Sequence, residues 1–213
     1  ITKVTGSELA LEVTAAGGSW KYDGKSHEKK EFSVTSGLEK LKAINSNLKV
    51  DASVSGSVVN VKDNGENKIT DVKIMLGDKD VTDQFESDVI SRINGTLTIN
   101  PRNVTLTSES GTKKFDGNPL TKPEVEVAGD GFVEGEVSDV KATGTITKAG
   151  DVINTIEFTK KSGFKDDNYN ITKSEGTLTV TKNEDGVVIN PKTVSKVYDG
   201  KPLTAGGEIS GFA

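Results

Sequence analysis

An aromatic residue followed by Asp-Gly occurs three times in this chain, at Tyr22-Asp23-Gly24, Phe115-Asp116-Gly117 and Tyr198-Asp199-Gly200, with intervals of 93 and 83 residues. Such intervals exceed the roughly 20 to 50 residues of solenoid repeats, whose units bury their apolar faces only against neighbours. Each copy is therefore expected to be a unit with its own core. Other features keep step with the triplet. An alternating apolar run starts eleven residues ahead of each aromatic, at Leu11-Glu12-Val13, Val104-Thr105-Leu106 and Val187-Val188-Ile189. Gly37-Leu38, Gly131-Phe132 and Gly211-Phe212 follow it, and two copies close on Gly-Thr-Leu-Thr at residues 95–98 and 176–179. The reading divides the chain into a first β unit, 1–100, a second, 101–183, and the start of a third, truncated unit, 184–213, the whole being a segment of a longer array.

Between these landmarks the local pattern is that of strands. Short runs of alternating or β-branched residues are separated by Gly, Asp, Asn and Lys, and about seven fit in one unit. Val152, Ile153, Ile156 and Phe158 read as one central strand, and residues 69–74 of the first unit are matched to 153–158 of the second. On that match the turn at 62–67 is about four residues longer than its partner, an insertion that an exposed hairpin loop tolerates. Only 38–45 has helical spacing, with Leu38, Leu41 and Ile44 three residues apart. The expected fold class is all-β: tandem immunoglobulin-like antiparallel β-sandwich units in an elongated array. The alternative is a β-grasp-like unit in which the short helix crosses a sheet. The first joint, Asn100-Pro101-Arg102-Asn103, is short and stiffened by Pro, and the second, residues 182–186, is polar and looser.

Composition narrows the function classes. Cysteine is absent, which removes disulfides, thiolate zinc sites and a Cys nucleophile. The net charge is −5, with 27 basic and 32 acidic residues spread along the chain, opposite to the clustered positive charge of a nucleic-acid footprint. His27 is the only histidine, and no Gly-x-Ser-x-Gly elbow accompanies it, so no catalytic residue is assigned and the chain is read as not an enzyme. No acidic cluster follows the Asp-x-Asp-x-Asp-Gly calcium pattern, so no metal ligand or cofactor is assigned. Glu184 and Asp185 are kept as a minority reading, a calcium ion at the second joint.

The triplets themselves are assigned a structural role. Asp-Gly suits a tight turn that needs two successive residues at positive φ, with the aromatic ring closing one end of the core. Copies two and three continue as Asn118-Pro119-Leu120-Thr121 and Lys201-Pro202-Leu203-Thr204, whereas His27 stands where they have Leu120 and Leu203. Trp20, the only tryptophan, stands where they have Lys113 and Lys196. It is the candidate ligand-binding residue, because an exposed indole can stack on a sugar; the plainer reading is an aromatic covering a sheet edge.

The stretches from Val104 through Phe115-Asp-Gly-Asn-Pro-Leu-Thr, from Asp167 to Thr172, and Gly176-Thr-Leu-Thr-Val resemble the YDG-type or MBG-like tandem repeats of large bacterial cell-surface proteins. The resemblance covers nearly the whole chain. It implies a secreted, cell-surface or cell-wall associated adhesin-like protein of Gram-positive type, in which such repeats form a stalk or spacer and carry no enzymatic residues. It also implies a monomeric segment without membrane insertion, and contact of the parent protein with a host glycan or extracellular matrix protein. Domains of this kind sometimes carry a Lys-Asn isopeptide bond, for which Lys113 or Lys114 with Asn168 or Asn170 are conceivable partners. The alternative function is a module that itself binds a glycan or host protein.

Overall fold

The computed structural model describes residues 3–184 and 186–211, so Asp185 and Phe212 of the readings above lie outside the described residues. The fold is all-β, with several sheets and, among the described residues, one α-helix. The chain divides into two compact units, the first comprising Ile1–Val104, Gly129–Glu136 and Lys161–Ile171, the second Thr105–Ala128, Val137–Lys160 and Thr172–Ala213.

The first unit opens with strands β1 (Leu11–Ala15), β2 (Gly18–Lys21) and β3 (Phe32–Ser36), then helix α1 (Leu38–Ile44), β4 (Leu48–Ser55), β5 (Gly65–Leu76), β6 (Lys79–Asp80), β7 (Ile90–Ile93) and β8 (Gly95–Asn100). One sheet runs β3-β1-β7, and another β2-β8-β5-β4 with β6 on β5. The alternation in β1 puts Leu11, Val13 and Ala15 inside, as a period of two requires. Val13 and Ala15 pack with Ile69 and Val72 of β5. A second cluster gathers Leu9, Leu11, Leu41, Leu48, Ile74, Val81, Phe85 and Val89. Helix α1 is too short to hold itself together by propensity alone; Leu41, fully buried in this cluster, anchors it.

Further along come β9 (Arg102–Ser108), β10 (Gly111–Lys114), β11 (Leu120–Thr121), β12 (Val125–Gly129), β13 (Val137–Ala142), β14 (Thr145–Ile146), β15 (Gly150–Asn154), β16 (Ile156–Lys160), β17 (Tyr169–Ser174), β18 (Gly176–Thr181), β19 (Val188–Pro191) and β20 (Gly207–Ser210). Within the second unit the ladders are β10-β18-β15, β11-β14, β13-β16 and β19-β20. Leu106, Ala142, Ile156, Leu178 and Val180 are its buried apolar residues. Along β19 and β20 every residue is exposed, as are Val197, Tyr198 and Leu203 between them.

Three expectations change. The sheets are mixed: β1 pairs with β7, β2 with β8 and β10 with β18 in parallel. Alternation does not report strand direction, and each of these partners lies far enough along the chain for a parallel crossover. The run from Val152 to Phe158 is two strands instead of one, broken at Thr155, with β15 on β18 and β16 on β13. Ile153 is consequently 58% exposed and Ile156 fully buried. Pairing also moves the match between the copies, since Asn67 faces Gly95 and Asn154 faces Gly176. Ile69 therefore corresponds to Ile156, and the turn in the first copy is one residue longer, not four.

Candidate functional site

At each triplet the Gly alone takes positive φ, 76° at Gly24, 81° at Gly117 and 73° at Gly200, so the turn is not the double-positive type expected. The Asp side chain does the rest: Asp23 accepts the amide of Lys25 at 2.9 Å, Asp116 that of Asn118 at 2.9 Å and Asp199 that of Lys201 at 3.0 Å. This closes an Asx turn two residues on. In copies two and three the same carboxylate also holds a lysine three residues back, Lys113 at 2.6 Å and Lys196 at 2.7 Å. Those lysines, followed by the turn amides, hold Asp116 and Asp199 below the usual carboxylate range.

Trp20 removes that lysine from the first copy, and His27 supplies the missing contact. Its Nε2 lies 2.9 Å from Asp23 Oδ1, and its hydrogen bond is the main influence lowering the Asp23 carboxyl. The imidazole stacks on the indole at 4.9 Å between centroids and 21° between planes. The backbone of His27 bridges Val58, as Leu120 pairs with Ile146 in the second unit. The two departures of the first copy are thus one replacement: a Trp-His pair in place of Lys and Leu. Trp20 is half-buried, with one ring face occupied by His27 and its Cη2 edge over Gly18.

Tyr22 has further company, all within the first unit. Its ring is 2% exposed, and its hydroxyl donates to Glu136 Oε1 at 2.5 Å. Tyr169 donates to the other oxygen, Oε2, at 2.7 Å, and accepts the Val133 amide at 3.0 Å. The buried Glu136 carboxylate is thus held by two hydroxyls, each such charge-assisted bond contributing about 1.5–3 kcal/mol. Burial first, and then the carboxylate, push Tyr22 up to about 12 and Tyr169 higher. Phe164 stacks on Tyr169 at 5.0 Å and Phe132 tilts against it at 5.4 Å.

The same stretches are tied down around this core. Asn168 Oδ1 accepts the Val61 amide at 2.9 Å, and its Nδ2 donates to Asn60 Oδ1 at 3.0 Å. Arg102 donates to the carbonyls of Tyr22, Gly131 and Asp130. Lys21 pairs with Asp130, and Lys62 with Asp167 at 2.7 Å. The glycine that matches Gly37 and Gly211 is Gly129, not Gly131. All three have φ between 79° and 91°, and a Cβ on each would strike the carbonyl of the residue ahead of the opening apolar run: Ala10, Asn103 or Gly186. Glu136 has no signal in the sequence that sets it apart from its exposed neighbour Glu134.

Sequence reasoning also missed a buried amide present in each unit. Asn67 Nδ2 donates to the carbonyls of Ala16 and Lys29, and Asn154 Nδ2 to those of Glu109 and Lys122. Each ties two segments to the strand that carries it. Asn154 Oδ1 further accepts the Gly144 amide at 3.1 Å. A buried Asn in an apolar run, facing the Gly of Gly-Thr-Leu-Thr, was the available signal.

Of the isopeptide partners, Lys113 spends its amine on Asp116 and the Asn118 carbonyl, and Asn168 spends its amide on Asn60 and Val61. Asn170 donates to Asn103 Oδ1. Among the described residues no group of three or more His, Cys, Asp or Glu side chains is placed to hold a metal ion, and no helix is long and apolar enough to cross a membrane. A scan against protein-family models finds no match to the chain, and a search of curated proteins finds no relative.

Proposed function

We propose that the chain is a non-catalytic stalk or spacer segment of a bacterial cell-surface, adhesin-like protein, built from tandem immunoglobulin-like units whose copies begin near residues 1, 101 and 184. The observation that carries this reading is the reuse of one framework with different surfaces. Gly18 to Lys21 pair in parallel with Leu97 to Asn100, and Gly111 to Lys114 with Leu178 to Thr181, in matching register. The buried Asn and the Asx turn recur with it, while exposed side chains differ. Residues reused in this way maintain strand pairing and turns, which is what a load-bearing spacer requires. Pulling one chain from its ends tests it: separate unfolding events should release about 300 Å of contour per 80–100 residues. One event spanning the whole chain would defeat the proposal. A glycan array in which wild type and Trp20→Ala bind alike addresses the rival, a sugar-binding first unit.

A further inference from the structure

Tyr22, Asn60, Val61, Pro101 and Arg102 surround the place where the stretches Gly129–Glu136 and Lys161–Ile171 enter the first unit. Four of the five make the contacts: Tyr22 with Glu136, Asn60 and Val61 with Asn168, Arg102 with Asp130 and Gly131. In the second unit the same positions can be identified from strand pairing. Gly56 and Gly144 both abut the buried Asn, so Asn60 and Val61 answer to Lys148 and Ala149. Asn100 and Thr181 are the last residues of the matching ladders, so Pro101 and Arg102 answer to Lys182 and Asn183. Phe115 answers to Tyr22. These five residues, Phe115, Lys148, Ala149, Lys182 and Asn183, line an open cavity of about 360 Å³.

We infer that this cavity is a socket for an acidic, aromatic-bearing loop of the kind that fills the first one, the chemistry of Asp-Asp-Asn-Tyr at residues 166–169. Charge supports that occupant. Where the first socket offers the neutral Asn60 and Pro101, the second offers two exposed lysines, Lys148 and Lys182, suited to the carboxylates of such a loop. The ring of Phe115 offers the apolar floor that Tyr22 gives Tyr169, at 5.6 Å edge to face. Phe115 has no hydroxyl to hold a buried carboxylate, so acid recognition passes to the lysines. The Ala149 amide takes the place of the Val61 amide that Asn168 caps. This inference goes beyond the stalk reading and does not rest on it, because it concerns only what fits this cavity.

The test is a titration of the ¹⁵N-labelled full chain with the capped peptide Lys-Asp-Asp-Asn-Tyr-Asn-Ile, residues 165–171, followed by amide shifts. About 5 mM peptide populates even a millimolar complex. Saturable shifts should centre on Phe115, Ala149 and Lys182, and leave Val61 unmoved because Asn168 already caps its amide. The shifts should fall several-fold in K148E/K182E, whose substitutions are on exposed positions, and with a peptide carrying Ala for the Asn-Tyr pair. Absence of shifts at the cavity, shifts unchanged by both substitutions, or broadening from self-association of the chain without peptide would each overturn the inference. A negative result would leave the pulling experiment unaffected.

Discussion

Tyr22 and Tyr198 head the same Asp-Gly turn, yet one ring is 2% exposed and the other 94%. The Asx hydrogen bond and the positive-φ Gly are present in both, so the turn is a local structure that forms with or without a cover. Burial of the ring is a separate matter, supplied by Glu136 and Tyr169 from more than a hundred residues away. A motif of three residues therefore encodes a shape, and its burial depends on what the rest of the chain brings to it.

Glu136→Ala should give the largest effect. It leaves two buried hydroxyls without their acceptor, a loss of about 2–3 kcal/mol. Urea unfolding checks this, with Glu134→Ala, an exposed neighbour, as the near-neutral control. Equal effects would erase the distinction between covered and open turns.

Alkaline pH probes the same contrast. Because the folded pKa of Tyr22 is raised to about 12 and that of Tyr169 is raised further, the neutral hydroxyls contribute stability that is fully present below the ordinary value near 10. It is lost as pH climbs through about 12. The difference in unfolding free energy between wild type and Y22F should therefore shrink between pH 9 and pH 12; a constant difference would show that the hydroxyl is not held as described. At neutral pH, Y22F, which installs the residue of the second copy, should cost about 1–2 kcal/mol, while F115Y should change stability by less than about 0.5 kcal/mol.

A smaller effect than that of Y22F concerns the exchange in the first copy. W20K and H27L each break the Trp-His-Asp arrangement, but together they recreate the Lys-Asp pair of the other copies. A double-mutant cycle should show favourable coupling of about 0.5–1 kcal/mol. Strict additivity would mean that the two departures are independent.

Much of this framework could be read before the coordinates. The period-two runs located the opening and closing strands, and the spacing of Leu38 and Leu41 located the helix, because burial on one face leaves a periodic trace; Ile44, which continues that spacing, is exposed. The register did not follow from that trace. Ile153 and Ile156 look equally suited to a core, and only pairing of Asn154 opposite Gly176 decides which is inside. The coupling of Trp20 with His27 was hidden because each was read as a separate departure, and the stacking that joins them depends on how the turn between them folds. Glu136 was hidden because a buried acid and a solvated one have the same letter, and its partners are remote in sequence.

The contact between the sole indole and the sole imidazole has a practical corollary for spectroscopy. Emission at long wavelength comes entirely from the first unit, so a fluorescence melt tracks that unit alone and is blind to the second. A single sigmoid in such a trace cannot be taken as two-state behaviour of the whole polypeptide, and circular dichroism or calorimetry has to be run beside it.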